Sequence, residues 1–177
     1  MKVTVYKAML QDLITQQQFA LKLCSALGCG LIAGVFFAFS SFVMSALARL
    51  QPTQGIAAMQ SINITAINPL FMTVLFGTAA ACIVLAVSSV LKWHQPGAAY
   101  LLLGSVLYLV GTILVTIVFN VPLNEALAKV EADSTNGANL WASYLGNWTF
   151  WNHIRAAAAL GAAASLTIAL CYPVAKP

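Results

Sequence analysis

Long, continuously apolar stretches alternate with shorter polar segments along this chain. The apolar stretches cover residues 21–47, 67–91, 98–119 and 151–172. Each can cross a bilayer as a helix, because an α-helix rises about 1.5 Å per residue and the hydrocarbon core needs about 20 apolar residues. Strands of a membrane barrel would alternate polar and apolar positions, and these stretches do not. The pattern predicts an all-α fold, a transmembrane four-helix bundle.

The first twenty residues predict a further, shorter helix. Tyr6, Met9 and Leu13 recur at helical spacing between polar residues. A short amphipathic helix of this kind lies in the membrane interface. A frayed terminus with chance periodicity is the alternative. We therefore divide the chain into an N-terminal interfacial segment, residues 1–20, and a four-helix transmembrane domain, residues 21–177.

Two polar segments predict how the later helices are joined. Residues 120–147 form the longest polar segment, which predicts a long extracytoplasmic loop between helices three and four, with a helical pattern inside it up to Val130. Pro122 and Gly137 mark its two ends, because proline and glycine punctuate regular structure. Residues 92–97 are short and also contain proline and glycine. They predict a tight turn, so helices two and three are expected to be antiparallel neighbours.

Composition assigns the chain to a broad class. Hydrophobic residues make up 61% of the sequence and charged residues 7%, whereas a soluble domain carries about 25% charged residues. The chain is therefore predicted to be an integral membrane protein with the lipid bilayer as its main partner. Its eight Lys and Arg residues are scattered singly, so no nucleic-acid partner is predicted.

Positive charges predict the orientation in the membrane. One side of the predicted bundle holds five lysines and the other holds three basic residues. The two groups are Lys2, Lys7, Lys22, Lys92 and Lys176, and Arg49, Lys129 and Arg155. Because positive residues accumulate on the cytoplasmic side, both termini are predicted to be cytoplasmic, in a bacterial inner or plasma membrane.

Metal ligands are too scarce and too far apart to predict a metal or haem site. The two histidines, His94 and His153, fall at opposite ends of the predicted bundle. They are separated by the hydrocarbon core, which is about 30 Å thick. No Asp or Glu lies within a predicted span. We therefore expect no metal and no other cofactor.

A set of amides, tryptophans and one arginine shares one predicted membrane depth, near the outer ends of the helices. Its members are Asn68, Asn120, Asn124, Trp148, Trp151, Asn152 and Arg155, and Ser40, Ser41 and Asn63 lie at a similar depth. An ionisable side chain is costly to place within a membrane, and it is a functional-site candidate by default. The arginine is predicted to lie within a turn of the start of helix four.

Helical spacing predicts that the members in helix four share a face. Trp148, Asn152 and Arg155 stand at i, i+4 and i+7, and Trp151 is four residues before Arg155. His153 points to another face. Amides from three segments beside an arginine predict a polar cavity for a planar, oxygen-bearing aromatic ligand, stacked on tryptophan. The alternative is structural: an interfacial tryptophan belt, an arginine reaching the headgroups, and asparagines that cap or link helices.

Four segments also carry a resemblance to a known family. They are residues 34–44, Ile62-Asn63 with Asn68-Pro69, residues 119–124, and Trp148-x-x-Trp151-Asn152-x-x-Arg155. These segments resemble the anthrone oxygenase-like family of small four-helix membrane proteins, over about residues 24–172. The resemblance implies a four-helix bundle and, for some members, oxidation of an anthrone to an anthraquinone by molecular oxygen without metal or flavin. Ser45 departs from a proline that family members often have there.

The implied reaction assigns roles to the conspicuous side chains. Arg155 and Asn152 are the catalytic candidates, because together they can stabilise the oxyanion of an enolate. The substrate-binding candidates are Asn68, Asn120, Asn124, Trp148 and Trp151. No general base is identified, since His153 has the wrong helical phase for this face.

A second class of function stays open. Without an evident base, metal or cofactor motif, the chain also suits a non-catalytic subunit or assembly factor of a larger membrane complex. Gly30 and Gly34 form a small-x-x-x-small pair in the first helix. This pair predicts close packing inside the bundle, and a homodimer seam is the alternative.

Overall fold

The computed structural model describes residues 2–172, and this part of the chain is helical with no strand. Residues 173–177, and with them Lys176 of the charge count, lie outside it. The α-helices are α1 (Lys2–Ala38), α2 (Met44–Leu47), α3 (Pro52–Thr65), α4 (Pro69–Leu91), α5 (Ala98–Val106), α6 (Val121–Ala128) and α7 (Thr135–Leu170). Three π-helical stretches join some of them, at Phe39–Val43, Leu107–Leu114 and Thr116–Asn120.

Four long helical segments are apolar enough to cross a membrane, so the predicted all-α transmembrane bundle is confirmed. We number them as spans one to four: Thr15–Leu47, Pro69–Leu91, Ala98–Ala128 and Thr135–Leu170. Spans two and three are joined by the turn at residues 92–97, as predicted, and Gly97 in it has a φ of 83°. We call this end of the bundle the turn end. The opposite end, with residues 129–134, is the loop end.

The prediction of a long loop at residues 120–147 is wrong. Only residues 129–134 separate α6 from α7. Pro122 lies in the first turn of α6, where its missing N–H has no helical partner to lose. The Ser134 hydroxyl caps α7 by accepting a hydrogen bond from the Gly137 amide at 2.9 Å. Proline and glycine thus mark where helices begin here, rather than the ends of a loop.

The N-terminal segment is helical, as predicted, but it is not a separate helix. The helix α1 runs without a break from Lys2 to Ala38. The sequence contains no proline or glycine before Gly28 that would end it. Residues 2–20 are therefore an extension of span one, and their position in the membrane interface stays a prediction.

Two apolar cores follow each other along the bundle. The larger one packs spans one to four against each other from their middle towards the turn end; its largest members are Phe36, Leu85, Tyr108 and Leu166. The smaller one, at the loop end, is formed by α2, α3, α6 and the first turns of α7; its members are Met44, Leu47, Ile56, Met59, Leu127, Trp141, Tyr144 and Trp148. The local sequence pattern did not indicate this second core.

Small residues pack spans three and four closely, and Gly28 packs span one against Thr78 of span two, whereas Gly30 and Gly34 of span one make no such contact. A Cβ at Gly104 would lie 2.8 Å from a Leu166 side-chain carbon, so the helices are too close there for a larger residue. Gly30 and Gly34 are exposed, with no atom within 4 Å of an added Cβ. The prediction that this pair packs inside the bundle is therefore wrong. A homodimer seam on this face stays an untested prediction.

Candidate functional site

Arg155 lies in the middle of α7 and is buried between the two cores. The helix begins at Thr135, twenty residues earlier, so the prediction that Arg155 is within a turn of the helix start is wrong. The side chain points into the bundle, as its helical phase predicts, since only 4% of its surface is exposed. His153 is exposed on another face, as predicted.

The guanidinium of Arg155 is held by neutral groups on three sides. Its NH2 donates to Asn152 Oδ1 at 2.8 Å, and its NH1 donates to Thr116 Oγ1 at 3.3 Å. The guanidinium carbon lies 4.2 Å from the centre of the Phe36 ring and 5.1 Å from that of Trp148. Both rings present their negative faces to the cation. Among the described residues, neither Asn120 nor Asn124 accepts a hydrogen bond from this guanidinium.

Asn152 connects the arginine to span one. Its Nδ2 donates to the Phe36 carbonyl at 2.7 Å and to Ser40 Oγ at 2.8 Å. Because both protons of the amide are bound in this way, its Oδ1 is directed at Arg155. Asn152 has no exposed surface. The amide thus fixes the orientation of the guanidinium and links α7 to span one.

A ladder of aromatic side chains leads from Arg155 towards the loop end along α7. Trp148 and Tyr144 have ring centroids 6.2 Å apart, and Tyr144 and Trp141 are 5.5 Å apart. Asn124 Oδ1 accepts hydrogen bonds from the Tyr144 hydroxyl and from Trp148 Nε1, both at 2.8 Å. The polar edges of the ladder are therefore fixed by the Asn124 amide of α6.

Span three contributes the remaining polar contacts. Asn120 Nδ2 donates to the Trp148 carbonyl at 3.2 Å, and Thr112 Oγ1 donates to the Arg155 carbonyl at 3.4 Å. Two buried atoms of the cluster have no hydrogen-bond partner within the described part of the chain, Asn120 Oδ1 and Arg155 Nε. A buried polar atom without a partner in a native structure calls for an unseen water, ion or ligand, or for a functional reason.

The π-helical stretches explain why these residues of span three line up. Thr112, Thr116 and Asn120 all fall within the two π-helical stretches of that span, and Ser40 falls within that of span one. A π-helix has more residues per turn than an α-helix, so residues four apart stay close to one line along it. π-Helical turns are also frequent at functional sites. The wider turns place hydroxyls and an amide on the face that meets Arg155.

Two of the predicted site residues are not in this cluster. Asn68 is exposed and caps α4, because its Oδ1 accepts from the Phe71 amide and its Nδ2 donates to the Thr65 carbonyl, both at 3.0 Å. Trp151 is half-buried and stacks on Phe119, with ring centroids 3.5 Å apart. The structure brings together the other predicted members, which are Asn120, Asn124, Trp148, Asn152 and Arg155.

The charge of Arg155 has no acidic partner in this structure. The acidic residues that it describes near the loop end, Glu125, Glu131 and Asp133, are all exposed. Among the described residues, the hydrogen-bond partners of the guanidinium are a hydroxyl and an amide. A buried cation is normally paired with an anion, because desolvation of a single charge is costly. The cluster therefore presents an uncompensated positive charge that suits an anionic oxygen.

The cluster is closed, whereas the sequence predicted an open polar cavity. A shallow groove lies next to it between span one and α7, at the loop end. The residues that line it are Met44, Ser45, Ala48, Leu145, Gly146 and Thr149. Arg155 and Asn152 do not line this groove. A ligand of Arg155 would therefore have to displace side chains, of which the Phe36 ring covers the guanidinium most closely.

Sequence reasoning missed several members of the cluster. Tyr144 and Trp141 continue the buried face of α7, and the spacing 141, 144, 148, 152, 155 was a signal that could have found them. Thr112 and Thr116 gave no such signal, because their alignment depends on the π-helical turns. Phe36 lies within residues 34–44, one of the segments that carry the family resemblance. Its contact with Arg155, however, depends on how spans one and four pack.

Comparison with known proteins assigns the chain to a family. The family model described as anthrone oxygenase matches residues 70–165. No match was found among curated proteins or among solved structures. The matched range contains Asn120, Asn124, Trp148, Asn152 and Arg155, and it makes up more than half of the 177 residues. This integral membrane protein therefore belongs to the anthrone oxygenase family.

Proposed function

We propose that this protein is an oxygenase that acts on anthrones or similar lipophilic aromatic ketones, without a metal or flavin. One observation carries the proposal: Arg155 is a buried guanidinium that has no acidic partner among the described residues. A site that stabilises an enolate oxygen needs a fixed positive charge in a dry environment, directed at that oxygen. The unpaired Arg155 Nε adds a free donor to this charge. Membership of the anthrone oxygenase family supports the same reaction.

With anthrone as the substrate, the reaction begins at the ring CH₂ opposite the carbonyl. This CH₂ loses a proton, and the resulting enolate carries its charge on the carbonyl oxygen. The enolate transfers one electron to molecular oxygen, and the two radicals combine to a peroxide anion at that ring carbon, which takes up the proton lost in the first step to become a hydroperoxide. Loss of water, with the second hydrogen of the carbon, leaves a carbonyl. One atom of the oxygen molecule thus enters the quinone and the other leaves as water.

Three side chains would perform the main tasks. Arg155 binds the enolate oxygen and stabilises its charge. Asn152 holds the guanidinium plane through its 2.8 Å hydrogen bond from NH2. Trp148 stays over the guanidinium when the substrate binds, and Asn124 fixes its indole N–H. Asn120, with an unpaired Oδ1, is an acceptor for a phenolic hydroxyl on a substituted substrate.

The substrate would enter by displacing Phe36. The ring of Phe36 now stacks on the guanidinium at 4.2 Å, which is the position that suits a planar aromatic ligand of Arg155. Arginine stacks readily on aromatic faces, so exchange of one ring for another retains that contact. In this proposal the substrate proton passes to water, because the imidazole of His153 is directed away from the cluster.

Oxygen consumption by the purified protein tests the proposal. Anthrone in detergent should consume oxygen faster with the protein than with an equal amount of an unrelated membrane protein. With isotopically heavy oxygen gas, the quinone should gain one heavy atom and the water the other. Equal rates with and without the protein, across anthrones with and without ring hydroxyls, would contradict the proposal.

A second candidate function is a non-catalytic subunit or assembly factor of a larger membrane complex. The observation that favours it is the way the buried amides are used: Asn152 and Asn120 each donate to a backbone carbonyl of another helix. Such bonds are typical of residues that hold a bundle together. Purification in mild detergent separates the two functions. Stoichiometric partners without oxygen consumption favour this candidate, and an active isolated bundle rejects it.

We also infer that both termini are cytoplasmic, from the excess of lysine at the turn end. His94 is exposed in the turn at that end, and Asn136 is exposed at the loop end. Single cysteines at these positions, in a chain without the native cysteines, should react with an impermeant reagent only at position 136. Labelling of position 94 in intact cells would show that the orientation is the opposite one, with the turn end outside.

A further inference from the structure

A second polar site lies at the turn end of the bundle, away from Arg155. It is a cavity of about 130 Å³ between spans one, two and three and the turn that joins the last two. The residues that line it are Gln18, Leu21, Lys22, Val84, Leu85, Ser88, Ser89, Lys92, Gln95, Pro96, Ala98 and Leu101. A single water needs only about 15 Å³ by the same measure, so the cavity has room for a small polar group.

The charge of this cavity is entirely positive. Lys22 and Lys92 line it, and its lining contains no acidic residue. Lys22 is 8% exposed, and it forms no hydrogen bond or ion pair with any residue in the described part of the chain. An ammonium group is strongly hydrated and rarely buried without a partner. The ammonium of Lys22 therefore has no partner among the described residues, and the cavity that Lys22 lines has room for one.

Neutral donors accompany the two lysines. Gln18, Ser88 and Gln95 bring side-chain N–H or O–H groups to the lining. Ser89 is already engaged, because its hydroxyl donates to the Ala86 carbonyl at 2.7 Å. Two cations and several neutral donors without an acceptor of full negative charge are the groups that bind an oxyanion.

We propose that this cavity binds a phosphate oxyanion at the turn end of the bundle. Lysine binds phosphate as a point charge, and the cavity is lined by Lys22 from span one and by Lys92 from the turn. The apolar part of the lining, which includes Leu21 and Val84, continues into the membrane-facing surface of the helices. The phosphate is that of an anionic lipid headgroup or of a small phosphate compound, and these two sources share the chemistry recognised here.

Thermal unfolding of the full-length protein tests this site. Nanodiscs of phosphatidylcholine alone are compared with nanodiscs that contain phosphatidylglycerol, and inorganic phosphate is compared with chloride at equal ionic strength. We expect Tm to rise by several degrees in one of the two comparisons. A rise with phosphatidylglycerol alone identifies the headgroup as ligand, and a rise with inorganic phosphate identifies the free anion.

Matched variants show whether the effect belongs to the cavity. Lys22→Gln should remove at least half of the rise in Tm, and Lys92→Gln, an exposed position that does not depend on packing, should reduce it. Lys129→Gln carries the same change of charge at the loop end and should retain the full rise. The proposal is overturned by no rise in either comparison, or by equal losses in Lys129→Gln and Lys22→Gln.

Discussion

Arg155 and Lys22 are both buried cations without an acidic partner, but their surroundings differ. Arg155 is surrounded: two rings cover its faces, and a threonine and an asparagine accept its protons. Lys22 lines a cavity and has no partner among the residues whose side chains the structure describes. A buried charge can thus be stabilised in two ways. Polar groups of the chain itself can surround it, or the chain can leave space beside it for an external anion.

The difference also separates two kinds of function. The groups around Arg155 fix the position and plane of the guanidinium before a ligand arrives, which is the condition for stabilising a charge that develops during a reaction. The groups around Lys22 leave its ammonium free to move on a flexible stem, which suits binding of a permanent anion. The following changes test this difference, from the largest expected effect to the smallest.

Arg155→Lys should reduce oxygen consumption with anthrone by about 100-fold or more, the usual cost of losing one oxyanion donor. Lysine keeps the charge but loses the planar fork that donates to Asn152 and Thr116. Arg49→Lys is the control, since Arg49 is exposed at the loop end. Rates within a factor of two for Arg155→Lys and wild type would show that the fork has no catalytic role.

Asn152→Leu should lower the free energy of unfolding by about 3 kcal/mol. The change removes two buried hydrogen bonds to span one and leaves the Phe36 carbonyl without its side-chain partner, at about 1–3 kcal/mol for each unsatisfied group. Thermal unfolding in detergent measures this effect. The same change at Asn147, which is exposed on α7, should alter Tm little. If both variants lose the same amount of stability, Asn152 does not link the spans.

Lys22→Met should raise the stability of the protein in phosphate-free, zwitterionic detergent, by about 1 kcal/mol. Replacement of a buried charge by an apolar side chain of similar length removes a desolvation cost. Arg155→Met should lower the stability under the same conditions, because Asn152 and Thr116 lose their partner. Lys129→Met is the control for loss of charge. A loss of stability in Lys22→Met would contradict the contrast between the two cations.

Ser40→Ala should have the smallest effect, a loss of about 1 kcal/mol or less, because it removes one of the two acceptors of Asn152. Ser41→Ala is the matched control. The Ser41 hydroxyl is exposed and donates to the Phe37 carbonyl within its own helix, so its removal should leave Tm unchanged. Equal losses in the two variants would indicate an effect of the π-helical turn rather than of the hydrogen bond.

The bundle could be predicted from sequence because its signal is local. Four apolar stretches of sufficient length define the spans, and the turn at residues 92–97 contains the proline and glycine that are typical of tight turns. A helical pattern was predicted up to Val130, but the extension of span four back to Thr135 could not be predicted in this way. Leu127, Trp141 and Tyr144 become helical and buried because they pack against α2 and α3 in the second core, and this packing is not visible in the local pattern of residues 120–147.

The candidate site was predicted in part. The face shared by Trp148, Asn152 and Arg155 follows from helical spacing alone. Asn68 has the same predicted depth, but depth does not determine which residues meet, and its amide is used to cap α4. The contributions of span three depend on π-helical turns, which shift residues onto a face that an ideal α-helix would not give them.

The central claim is that Arg155 binds an aromatic oxyanion, and a spectroscopic titration without oxygen tests it most directly. Anthrone and its enolate differ in conjugation, so the enolate has an absorption band at longer wavelength. In oxygen-free detergent at neutral pH, wild type and Arg49→Lys should produce the enolate band in proportion to protein. Arg155→Lys and Arg155→Met should not produce it. Absence of the band with wild-type protein, or an equal band with Arg155→Met, would contradict the account.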